Sequence, residues 1–112
     1  MDFIIKQPLE RCFSMLKMDE GKDYLLTTDN QIIEISPKNG EHYEGDELRE
    51  HINDYFEFCH LSESHLFIGM DNGQAISQKT NKNGALFLRG RYNLMNDCVW
   101  GECLIVQQKH IR

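Results

Sequence analysis

Apolar residues in this chain come in short runs, and that limits it to a small sheet braced by short helices. Leu104-Ile105-Val106 is among the longest, far below the ~20 residues of a membrane-spanning helix. Tyr24 to Thr27 and Gln31 to Ile35 read as strands joined through Thr28-Asp29-Asn30, a hairpin signal. Tyr55 to Cys59 and His65 to Met70 read as two more, with a turn at Ser62-Glu63-Ser64. Asp71-Asn72-Gly73 is the clearest two-residue hairpin signal, with Gln74-Ala75-Ile76 returning. Cys98-Val99-Trp100 and Cys103 to Val106 are further apolar runs around Gly101-Glu102, and a short strand is expected at Phe3 to Lys6.

The helical signals lie between these runs. Pro8 suits a first helical position, and Leu9, Cys12, Phe13 and Leu16 follow at helical spacing until Asp19-Glu20-Gly21-Lys22 ends the element. After the turn residues Pro37-Lys38-Asn39-Gly40, Asp46 is placed to cap a second helix with Glu47 in its first turn. Leu48, Ile52 and Tyr55 form its inward stripe, and Asn53-Asp54 is a helix stop. Lys79 to Gly84 reads as a polar loop, and Ala85 to Leu88 as a short helix or turn stopped by Gly90. The expectation is one α+β domain over residues 1–112: an antiparallel sheet of about five or six strands with two or three helices on one face. A chain of 112 residues buries about two-thirds of its unfolded surface.

Several chemistries are excluded or weakened. Cys12, Cys59, Cys98 and Cys103 form no Cys-x-x-Cys pair, and no histidine stands at zinc-finger spacing from them, so neither a metal nor a cofactor is expected. Cys59 and Cys103 sit in apolar runs and read as buried reduced thiols. Residues 39–50 put glycine at the second and seventh positions and lack a calcium loop's ligand pattern. No nucleophile elbow, His-Glu-x-x-His or phosphate-binding glycine loop is present. Catalytic residues are therefore not assigned, and an enzyme built on a His/Cys pair, such as His60 with Cys98, is the last of three functional readings. The start of the sequence carries no signal-peptide pattern, and a cytoplasmic location is the default expectation.

Charge is unevenly spread. The formal charge is −6, but residues 41–71 hold nine acids and one base, a local −8, and residues 72–112 hold two acids and six bases, +4. Arg49 is the single Lys or Arg between Lys38 and Lys79. Such a middle segment repels nucleic acid. An amphipathic helix has a solvated face as a matter of course. Solubility alone, however, is met by mixed signs, and unrelieved negative charge suits a basic partner. The candidate partner-binding residues are Glu41, Glu44, Glu47, Glu50, Asp54 and Glu57. The second reading is a small ligand, nucleotide-like, held by Lys79, Lys82, Arg89 and Arg91 beside Phe87 and Tyr92; four bases over thirteen residues is a weak signal of it.

The order "SPKNG", "ELREHINDYFEF", "MDNGQA", "NKNGALFL" and "VWGECLIV" resembles a small domain-of-unknown-function family carried mainly by bacteriophages and mobile elements. In that family Asn-Gly precedes Glu-Leu-Gln, followed by Gly-Gly-Tyr-Ile-Glu, Asn-Glu-x-Gly, an Asn-x-x-small segment and Ile-x-Gly-x-Val-Leu-Ile. Glu47-Leu48-Arg49, Ile52, Tyr55-Phe56-Glu57, Asp71-Asn72-Gly73, Asn81 with Gly84-Ala85, and Val99 to Ile105 match in turn. The match runs over about residues 30–106 and departs at Asn53-Asp54, where the family has two glycines. Residues 1–25 match none of it and read as an N-terminal addition. The resemblance implies the fold and a mobile-element setting, with no established chemistry. The first functional expectation is accordingly a non-enzymatic accessory protein whose acidic surface binds a host protein, in the manner of a defence-system inhibitor.

Overall fold

A computed structural model describes residues 7–53, 55–70, 79–92 and 99–111. Its frame is two hairpins held apart by a single central strand. The first hairpin comprises β1 (Asp23–Leu26) and β2 (Ile32–Ile35). The second comprises β3 (Phe56–His60) and β4 (His65–Met70). Between them lies β5 (Cys103–Gln107), antiparallel to both β1 and β4, which gives the order β2-β1-β5-β4-β3. Cys103 to Val106 are fully buried, which is why this strand reads as continuous apolar sequence: it is covered on both faces.

Successive side chains alternate between those faces. Tyr24, Leu26, Phe67, Cys103 and Ile105 point into one core, shared with Leu9, Cys12 and Phe13 of α1 (Leu9–Met15) and Phe87 of α3 (Lys82–Arg91). Phe13 meets Phe87 edge-on at 5.3 Å. Leu66, Ile68, Leu104 and Val106 point the other way, onto Tyr43, Leu48 and Ile52; Leu48 belongs to α2 (Gly45–His51) and Ile52 caps it. Two helices thus share one face, as expected, while α2 covers the opposite one. The reason is topological. The chain leaves β2 at one edge of the sheet and enters β3 at the other, so the connection must cross a face, and it buries Tyr43, Leu48 and Ile52 in doing so.

Three local expectations are corrected. The cap of α2 is Glu44, not Asp46: Glu47 Oε1 accepts the Glu44 N–H at 3.2 Å, which fixes the start one turn before Glu47. Tyr55 does not continue the inward stripe; it is 59% exposed. The helix ends at His51 with Ile52 in a non-helical conformation, so helical spacing stops before reaching it. Lys79 to Gly84 is not simply a loop either, because α3 begins at Lys82 and runs through Gly90 to Arg91. Asn81 starts it by accepting the Gly84 N–H at 2.9 Å. Gly84 and Gly90 are tolerated inside this helix because it lies so close to its neighbours. A Cβ on Gly84 would stand 2.9 Å from Cys103 Sγ, and one on Gly90 3.3 Å from Met15 Cε. The expected strand at Phe3 to Lys6 and the hairpin at Asp71-Asn72-Gly73 lie outside the described residues.

Candidate functional site: the acidic crossover and the β3 edge

The crossover begins with a turn. Gly40 takes φ +80° and donates its N–H to Pro37 at 3.0 Å, a backbone state that glycine supplies at no steric cost. Asn39 Oδ1 then accepts the N–H groups of Glu41 and His42. From this platform the acidic residues divide into two kinds. Glu47 is buried, and its two oxygens accept the backbone N–H groups of Glu44 and Lys38 at 3.2 and 3.0 Å. It fastens turn to helix and faces no partner, so its place among the partner-binding residues is corrected. Glu41, Glu44, Asp46, Glu50 and Glu57 are exposed; Asp54 lies outside the described residues.

Nearby bases neutralise part of this surface. Lys38 pairs with Glu50 at 3.1 Å and Arg49 with Asp46 one turn back. Exposed pairs of this kind contribute about 0–1 kcal/mol and leave the surrounding field negative. The aromatic residues are the less expected part. Tyr55 and Phe58 are 59% and 47% exposed, and Phe58 packs edge-on against Phe56 at 5.7 Å. Phe58 faces the same side of the sheet as α2, because Phe56 belongs to that core and residues two apart share a face. Neither exposure is legible in the sequence: helical spacing turns Tyr55 inward, and strand patterning reads Phe58 as an ordinary strand residue.

The basic alternative is split by the fold. Lys79, Lys82 and Arg89 are exposed. Arg91 is buried: Nε and Nη2 donate to Leu61 O at 3.1 and 2.6 Å, and Nη1 donates to Gln7 O at 3.1 Å. It is a brace between α3 and the β3–β4 turn, and as a ligand-binding residue it is corrected. An open groove beside α1, of about 760 Å³, is lined by Glu10, Asp19 and Glu20 as well as Arg11, Lys17 and Lys22, so it selects for neither sign of charge.

For the His/Cys reading, His60 is exposed and Cys98 lies outside the described residues. Burial pushes the thiols of Cys12, Cys59 and Cys103 up, with the Arg91 charge partly offsetting this at Cys12. Raised thiols are poor nucleophiles at neutral pH. Among the described residues no three His, Cys, Asp or Glu side chains converge as metal ligands, and no helix is long and apolar enough to cross a membrane.

Two polar clusters have no counterpart in the sequence pattern. Asp23, fully buried, accepts the Tyr43 hydroxyl, the Gln107 N–H and the Gln107 side-chain amide at 2.8, 2.9 and 3.1 Å, and also hydrogen-bonds His110 Nδ1. The second centres on His65, whose Nε2–H donates to Glu20 O at 2.8 Å, leaving Nδ1 to accept from Ser64 Oγ at 2.7 Å. Each ties distant segments together, and a lone Asp or His carries no sequence signal of such a role. No family model, curated protein or solved structure matches the chain.

Proposed function

We propose that this protein is a non-enzymatic binding module that captures a basic partner protein through the exposed side of α2 and the outer edge of β3. The observation that carries this reading is the coincidence of Tyr55 and Phe58, both held in water, with the −8 segment in which they lie. Aromatic rings in water forgo about 25 cal/mol for each Å² left unburied, and Tyr and Phe are enriched in the cores of protein interfaces. Surrounding carboxylates steer an oppositely charged surface into the encounter and reject acidic ones. The partner contacts are assigned to Glu41, Glu44, Glu50 and Glu57, with Tyr55 and Phe58 as anchors. The order of motifs along the chain supports a phage or mobile-element accessory role, with a host protein as the target.

A photo-crosslinking residue placed at Phe58 tests this in lysate of the host cell. It should label a basic protein, and the labelling should fall at least about tenfold in a Glu41→Lys, Glu50→Lys, Glu57→Lys variant or at high salt, as electrostatic steering requires. Labelling that is undiminished in that folded variant would falsify the reading.

A further inference from the structure

Two Asn-Gly steps lie among the described residues, and the fold treats them differently. Asn83-Gly84 sits inside α3, where Gly84 is buried and its N–H donates to Asn81 Oδ1 at 2.9 Å. Asn39-Gly40 sits in the turn that opens the acidic crossover, and both of its residues are exposed. Nothing stands within 4 Å of the place a Gly40 side chain would take. In such a step the backbone nitrogen that follows asparagine is a nucleophile beside the side-chain carboxamide, and glycine puts no Cβ in its way.

We infer that Asn39 is a site of self-modification, at which the Gly40 nitrogen converts the Asn39 carboxamide to a carboxylate. That nitrogen gives up its proton to solvent hydroxide and bonds to Asn39 Cγ. The Cγ–Nδ2 bond breaks, Nδ2 leaves as ammonia after taking a proton from water, and a cyclic imide remains. Water then opens either C–N bond of the imide, which gives aspartate or isoaspartate.

The contacts of the turn set both the rate and the consequence. The Gly40 N–H donates to Pro37 O at 3.0 Å, so attack waits for one bond of an exposed turn to open. Such an opening costs far less than unwinding a packed helix. Asn39 Oδ1 accepts the N–H groups of Glu41 and His42 at 2.8 and 2.9 Å. Negative charge develops on this oxygen during the attack, and the two donors already face it. Asn39 Nδ2 donates to Glu44 Oε1 at 3.3 Å. An aspartate in place of Asn39 keeps the acceptor, loses this donor and sets a second carboxylate against Glu44, the cap of α2. An isoaspartate also carries the main chain through the former side chain, adding a methylene to the turn. Conversion therefore adds negative charge at the start of the crossover and weakens the start of α2. Both effects are read on the chain alone, whatever binds the α2 surface.

Folded protein kept for days in mildly alkaline buffer, then mapped by peptide mass spectrometry, tests this. Asn39 should be converted at least about tenfold faster than Asn83, and an isoaspartyl methyltransferase should label position 39. An Asn39 that stays intact while the urea-unfolded chain is converted, or an Asn83 converted equally fast, overturns the proposal. Amide hydrogen exchange on Asn39→Asp, which retains the oxygen acceptor, reads the consequence. The Leu48 and Ile52 N–H groups donate to Glu44 O and Leu48 O. They should exchange at least about twofold faster than in wild type, and Glu44→Gln on that background should slow them again. Exchange unchanged from wild type overturns the link between Asn39 and α2.

Discussion

The Tyr43 hydroxyl donates to Asp23 Oδ2 at 2.8 Å, and so pins the start of the crossover onto the first strand beneath it. The same carboxylate holds the Gln107 backbone and His110, so one buried side chain joins β1, the crossover and the end of β5. Burial and the neighbouring Asp23 charge push the Tyr43 phenol well above its ordinary value near 10. Unfolding returns it to that value, so above about pH 10 the unfolded chain binds fewer protons than the native one. Stability is then fully present below pH 10 and falls above it, by about 1.4 kcal/mol per pH unit from this group alone. Urea unfolding from pH 8 to about pH 11 checks this: Tyr43→Phe should flatten the alkaline slope, and an identical slope in both proteins would refute it.

The acidic stretch should separate cleanly in a stability scan. Glu47→Ala strands two backbone N–H groups and should cost about 1–3 kcal/mol. Glu41→Ala and Glu50→Ala alter exposed side chains and should stay within about 0.5 kcal/mol of wild type. Chemical denaturation of the three variants reads the difference directly.

Gly84 should not accept a methyl group. Its Cβ would press on Cys103 Sγ at 2.9 Å and Val99 Cγ1 at 3.2 Å, both against a packed core. Alanine normally favours a helix over glycine by about 1 kcal/mol, yet here overpacking should reverse the sign and destabilise by about 1–3 kcal/mol. Gly84→Ala with Cys103→Ala should recover part of that loss, as a double-mutant cycle would reveal.

Alkylation of Cys12, Cys59 and Cys103 in the native protein should be slow at neutral pH and should accelerate as pH rises. Cys103 and Cys12 are fully buried and Cys59 is half-buried, so among these three Cys59 should react first. Mass spectrometry over a time course with iodoacetamide measures the order. Rapid labelling of Cys12 or Cys103 would contradict the packing described above.

Strand patterning made much of the sheet readable: β4 occupies the expected His65 to Met70, and β5 extends the expected Cys103 to Val106 by one residue. The misread elements are those whose sequence answers to something far away. Gly84 and Gly90 look like helix breakers until their contacts with Cys103 and Met15 are known. Glu47 looks like one acid among many until Lys38 is seen to donate to it. Asp23 finds Tyr43 twenty residues on and His110 eighty-seven on, and neither spacing has any periodicity to betray it. The exposure of Tyr55 and Phe58 is illegible for a related reason: helical spacing turns Tyr55 inward although the helix ends at His51, and period-two spacing fixes the face of Phe58 but not whether anything covers it.

The central place of β5 has a consequence for synthesis. A nascent chain that has not yet released residues 103–107 from the ribosome holds two hairpins with no strand between them. Isolated hairpins are marginal in water, and both cores need Leu104, Ile105 and Val106 to close. At about 5–20 residues per second, the β1–β2 hairpin waits several seconds with its inner edge open. This is the interval in which a chaperone would find the most to hold.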